Sequence, residues 1–138
     1  GSVRLLEGKE KEGDWDKMKK WISLQMESMN GAVYAVGTGG NISKLYNLSD
    51  QVSDHKTMDF SELMRISNYI SAFTYEERVN KLRLNTDRAD VIVPAASIYL
   101  TAMELAGCQT IFVPDLGLKD GIIQLLHERM QQRKRSIN

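Results

Sequence analysis

Ala32-Val33-Tyr34-Ala35-Val36 runs straight into Gly37-Thr38-Gly39-Gly40-Asn41, and the fold follows from how that passage is read. A five-residue apolar run is long enough for a buried strand and too short for a helix. The stretch from Ile42 to Leu48 suits a short helix, so the glycines occupy a strand-to-helix turn. Such a turn lets backbone N–H groups converge on an anion. It needs residues without Cβ where φ turns positive or a guest approaches closely, and the following helix adds free donors and partial positive charge. Phosphate is the natural guest, and Thr38 can add a hydroxyl donor. The pattern is not Gly-x-Gly-x-x-Gly, because Ile42 takes the last position, and Lys44 lacks the preceding glycine of a Walker A loop. Taken alone, the loop reads equally well as a tight structural turn.

Working outward, residues 2–7 read as a short extended piece. Asp14 is a good N-cap for a helix whose Trp15, Met18, Ile22, Met26 and Met29 recur at spacings of three and four, ending near Asn30-Gly31. That stripe is expected in the core. Beyond the loop, Ser49 to Met58 reads as a polar surface excursion. Asp59 with Glu62 and Thr74 with Glu77 make two capping boxes, for helices running to about Ala72 and Leu82. Asn85 to Asp90 reads as a polar turn, and Pro94 as the first turn of an apolar, buried helix that stops at Gly107. Thr110 to Val113 is a strand and Pro114-Asp115-Leu116-Gly117 a turn. A last amphipathic helix spans Leu118 to about Gln132, with residues 129–138 expected as a solvated, frayed tail. Strands interleaved with helices predict an α/β domain, residues 1–138, with a mainly parallel sheet. Three short strands are few for such a sheet, so part of the domain is expected to be missing.

The chain has 138 residues, and its 18 Lys+Arg balance 18 Asp+Glu. No basic patch argues for a nucleic acid duplex. No apolar run is long enough for a membrane span, and no signal peptide is apparent. The one cysteine, Cys108, forbids an internal disulfide and fits a small buried hydrophobe in a reducing, cytoplasmic protein. His55 and His127 have no ligand-like spacing, so no metal site of His and Cys is expected. Glu76, Glu77, Asp87 and Asp90 are formal general-base candidates, but capping and turn formation explain Glu77, Asp87 and Asp90. Arg88 lies between two acids and either pairs with Asp87, Asp90 or a neighbouring loop carboxylate, or offers its guanidinium to a phosphate or a base.

Gly-Ser-Val-Arg-Leu at 1–5, Val-Gly-Thr-Gly-Gly-Asn at 36–41, Arg-Ala-Asp-Val-Ile-Val-Pro-Ala-Ala at 88–96 and Val-Pro-Asp-Leu-Gly-Leu-Lys-Asp-Gly-Ile-Ile at 113–123 together resemble the exopolyphosphatase/guanosine pentaphosphate phosphatase family. The resemblance covers nearly the whole chain. It implies a partial RNase H-like lobe of the actin/sugar-kinase/Hsp70 superfamily, similar to the later part of that family's second lobe. It further implies hydrolysis of terminal phosphoanhydride bonds of inorganic polyphosphate or pppGpp with Mg2+ or Mn2+. Gly37, Thr38, Gly39, Gly40 and Asn41 match the family's third glycine-rich loop, and Arg88 matches the arginine ahead of the buried helix. The Asp-x-Gly-Gly-Gly-Ser phosphate loop, its metal-binding aspartate and the glutamate base are expected ahead of Gly1. That leaves no catalytic or metal-binding residue in this chain and makes the missing first lobe its partner. Lys119-Asp120 replaces a usual Arg-Glu pair, and Pro114 stands where a hydroxyl residue is common. A non-hydrolysing nucleotide-binding or regulatory module is the alternative, and a self-associating lobe, a homodimer, is a third.

Overall fold

The computed structural model describes residues 13–50 and 55–135. The expected strand over residues 2–7 and the tip of the tail, residues 136–138, lie outside the described residues. Among the described residues nine elements follow in order: α1 (Asp14–Glu27), β1 (Ala35–Val36), α2 (Gly40–Asn47), β2 (Thr57–Asp59), α3 (Phe60–Ser71), α4 (Tyr75–Asn80), α5 (Thr86–Leu105), β3 (Thr110–Phe112) and α6 (Leu118–Arg135). The expected α/β class holds. Three short strands form one sheet in the order β1-β3-β2, flanked by helices. β1 runs parallel to β3, with Ala35 opposite Ile111 and Val36 opposite Phe112.

The sheet is mixed rather than mainly parallel, because β2 lies antiparallel to β3 with Met58 opposite Ile111. β2 replaces the end of the expected polar excursion. Its one apolar residue, Met58, is fully buried, and three residues with a single apolar position give no readable alternation. The Asp59–Glu62 capping box does not form. No side chain caps α3; Asp59 accepts from Thr110 Oγ1 at 3.1 Å, while Glu62 pairs with Arg65. The second box forms as expected: Thr74 Oγ1 accepts from the Glu77 amide at 3.3 Å and Glu77 Oε2 accepts from the Thr74 amide at 3.0 Å.

α5 is the spine. It starts at Thr86, eight residues before Pro94, which lies inside it. Proline lacks only its own N–H, so one lost hydrogen bond is outweighed where both flanks of a helix are packed. Ala89, Ile92, Ala95, Ala96 and Met103 of α5 are buried, and α2, α3 and α4 pack around it. Ile42 and Leu45 of α2 and Leu63, Ile66 and Ile70 of α3 complete that core. The outer helices depart from expectation. α1 rests on α5 but buries no residue fully, and Met29 lies beyond its end, exposed. α6 continues to Arg135, past the anticipated Gln132. Its residues 121–133 are all exposed.

Candidate anion site at the glycine loop

Gly37 ends the strand side of the loop. Its amide donates to Phe112 O at 2.7 Å, extending the β1–β3 ladder. A Cβ on Gly37 would lie 2.8 Å from Ile42 Cγ1 and 2.9 Å from Ile111 Cδ1, so only glycine fits between the loop and the core. Gly39 is the N-cap of α2 at φ 98°, ψ 168°, a region essentially reserved for glycine. Its carbonyl is held twice, by the Ser43 amide at 3.2 Å and by Ser43 Oγ at 3.0 Å. Thr38, Gly39 and Gly40 are exposed and Asn41 is half-buried.

No side chain caps α2. A helix's first turn has no internal acceptors for its N–H groups. Among the described residues, no turn or side-chain hydrogen bond takes the amides of Thr38, Gly39, Gly40, Asn41 or Ile42. Thr38, Gly39 and Gly40 are exposed there, at the positive end of the helix.

Arg88 meets them there. It sits in the first turn of α5, where its amide and that of Ala89 both donate to Asn85 O at 2.9 Å, and buried Ala89 and Ile92 anchor that turn in the core. A Cβ on Gly40 would lie 2.5 Å from Arg88 Nη2. The guanidinium therefore fills the hollow that Gly40 leaves open. The anticipated salt bridge to Asp87 or Asp90 is not formed, and among the described residues Arg88 has no ion-pair partner. A half-buried cation without a carboxylate partner among the described residues, beside amides with no acceptor, has the donor chemistry that suits an oxyanion. Arg88 lies within the buried helix rather than ahead of it.

Tyr99 was missed in the sequence. It follows Arg88 by three helical turns, on the same face of α5, and its hydroxyl reaches Thr38 O at 3.4 Å. Burial pushes its phenol up from the ordinary value, so it stays a donor at neutral pH. The helical spacing from Arg88 was the available signal, hidden by placing Arg88 in a turn.

The remaining candidates lie elsewhere. Glu77 is held below the usual carboxylate range by its hydrogen bond from Lys81, with the Thr74 amide adding to it. His55 is exposed, as is His127 on α6. Asp120 accepts from the Gly117 amide at 2.7 Å at the start of α6. Cys108 is buried, as expected, its thiol donating to Val33 O at 3.4 Å. Among the described residues no three Asp, Glu, His or Cys side chains gather where they could hold a cation. No helix among them is long and apolar enough to cross a membrane. The site can hold and orient an anion; these residues place no base beside it.

A small mixed sheet flanked by helices, with this loop after its first strand, is a mixed α/β architecture. In particular it is similar to solved Ppx/GppA structures. The chain matches a Ppx/GppA family member from Aquifex aeolicus with a TM-score of 0.67 and 23% identity, over 93% of this chain and 47% of that one. It matches an exopolyphosphatase from Cytophaga hutchinsonii with a TM-score of 0.66 and 17% identity, over 84% of this chain and 42% of that one. The resemblance in sequence is thus borne out in fold, and the chain spans less than half the length of these structures. No family model and no curated protein sequence matches it.

Proposed function

We propose that the chain is part of a Ppx/GppA-type phosphatase and that it forms one wall of a phosphoanhydride site. Gly37, Thr38, Gly39, Gly40 and Asn41 grip phosphate oxygens through backbone N–H groups, and Arg88 neutralises their charge. The observation that carries this reading is the unpaired Arg88 guanidinium seated on Gly40, beside the uncapped start of α2. Phosphoryl transfer depends on positioning and on charge neutralisation, which these residues supply.

The whole protein, in this reading, is cytoplasmic and hydrolyses terminal phosphoanhydride bonds of polyphosphate or pppGpp. The solved neighbours include an exopolyphosphatase. The Mg2+ or Mn2+ it requires does not fit the described residues, which gather no set of ligands, so cation and general base belong to another part of the polypeptide. The 138-residue chain alone binds the anion and turns it over little or not at all.

The test has two arms. Calorimetric titration of the chain with a short polyphosphate and with pppGpp should show binding that Arg88→Ala weakens at least tenfold. Phosphate release by the same chain should not exceed that of a Gly39→Val control. Binding indifferent to Arg88 sinks the site; turnover above the control sinks the division of labour between this chain and the rest.

A further inference from the structure

Two successive peptide units of the glycine loop are held by their carbonyl oxygens. Gly39 O accepts from the Ser43 amide and from Ser43 Oγ, a helix bond reinforced by the side chain of the same residue. Thr38 O has no such support. Among the described residues no backbone turn bond reaches it, and its donor is the Tyr99 hydroxyl at 3.4 Å. The C=O and N–H of a trans peptide point in opposite directions. Drawing Thr38 O toward Tyr99 therefore turns the Gly39 N–H the other way. Gly39 is exposed, and its amide has no acceptor among the turn bonds of the described residues.

The ring and the hydroxyl of Tyr99 do separate work. With Val36 and Ile98, Tyr99 lines an apolar hollow of about 360 Å³ between α1, β1 and α5, so the body of the side chain lies among hydrocarbon while its polar tip reaches the loop. A phenylalanine would fill that hollow equally well, and packing alone does not call for the oxygen. At 3.4 Å the bond is long for O–H···O, so by itself it holds the carbonyl loosely. Polarisation adds to it. A donor on the oxygen of a peptide unit and an acceptor on its N–H strengthen each other, because linked hydrogen bonds polarise one another.

We propose, on the strength of the anion site described above, that Tyr99 is a positioning residue for that site: its hydroxyl, acting through the Thr38–Gly39 peptide, aims and sharpens the Gly39 N–H that receives a phosphate oxygen. Tyr99 does not touch the anion. Seating the anion on Gly39 makes Thr38 O a better acceptor, and the Tyr99 bond shortens in response.

Calorimetric titration of the 138-residue chain with tripolyphosphate, beside its Tyr99→Phe and Arg88→Ala variants, tests this, together with the Cζ resonance of Tyr99 in carbon-13 tyrosine-labelled protein. Tyr99→Phe should weaken binding about three- to tenfold, the worth of one neutral hydrogen bond, and leave the denaturation midpoint in place. In the unaltered chain tripolyphosphate should move the Tyr99 Cζ resonance downfield, a response that a tyrosine serving only as packing would not give. Binding that Arg88→Ala weakens and Tyr99→Phe leaves unchanged overturns the positioning role while the anion site stands. Binding indifferent to Arg88→Ala sinks the site and the role together. Should Tyr99→Phe not fold, a Cζ resonance that stays in place at saturating tripolyphosphate overturns the role in the unaltered chain.

Discussion

Gly40 and Arg88 act as one unit, because the space that one lacks is the space that the other's guanidinium fills. Gly40→Ala puts a methyl group 2.5 Å from Arg88 Nη2, and the flexible end of the arginine can yield while the backbone stays. We expect Gly40→Ala to keep the fold yet lose phosphate affinity about as far as Arg88→Ala. A charge-assisted hydrogen bond is worth about 1.5–3 kcal/mol, roughly ten- to a hundredfold in affinity. The double variant should lose little more than either single one, a non-additivity that titration of all three chains would show. Gly37→Ala should differ in kind. Its new Cβ meets Ile42 and Ile111 inside the core, and overpacking there costs about 1–3 kcal/mol. Chemical denaturation would register the change even without ligand. The glycines were legible because their residue type is the message. The pairing of Arg88 with Gly40 was not, since nothing in the order of residues says which turn of one helix faces which loop.

Among the elements, those with a local signature were readable and those fixed by tertiary contact were not. The Thr74–Glu77 box declared itself because its chemistry closes within four residues. Thr74→Ala should cost about 0.5–2 kcal/mol, measurable as a lower denaturation midpoint. Glu77's pH dependence has a definite sign. Its carboxyl titrates below the ordinary range because Lys81 and the Thr74 amide favour the charged form. Its stabilising contribution is therefore complete above the unfolded value of about 4.3 and disappears as pH falls through the depressed folded value. Unfolding midpoints measured from pH 6 to pH 2 should drop less steeply for Glu77→Gln than for the parent chain. The Asp59–Glu62 pattern carried the same signature and failed, because Thr110 on β3 and Arg65 on α3 claimed its two carboxylates. Pro94 misled in the same way. A proline normally marks a helix start, but buried neighbours on both sides carry α5 through it.

Across the described residues, burial is concentrated around α5, and the outer helices α1 and α6 contribute little. α1 has no fully buried residue, and residues 121–133 of α6 are exposed throughout, with Ile123 and Met130 among them. Ending the chain at Gly117 should therefore lower the melting temperature by no more than a few degrees, whereas Leu63→Ala in the core should cost about 2–5 kcal/mol. Thermal melts of the two variants would rank them. Helical periodicity in α1 and α6 was read correctly from the sequence. What their apolar faces meet was not, because a stripe at helical spacing reports amphipathicity and is silent on the neighbour.

Ile111 stands in the middle strand, opposite Ala35 on one side and Met58 on the other, with its Cδ1 directly beneath Gly37. A buried hydrocarbon thereby sets the height at which the loop's donors stand. Trimming it by one carbon, Ile111→Val, leaves every group that would touch phosphate in place and lets the platform under them sag. A random screen for weakened ligand capture should for that reason return lesions at this hidden position alongside those on the surface, and repair of the platform by a bulkier neighbour should restore capture without any change to the groups that make it.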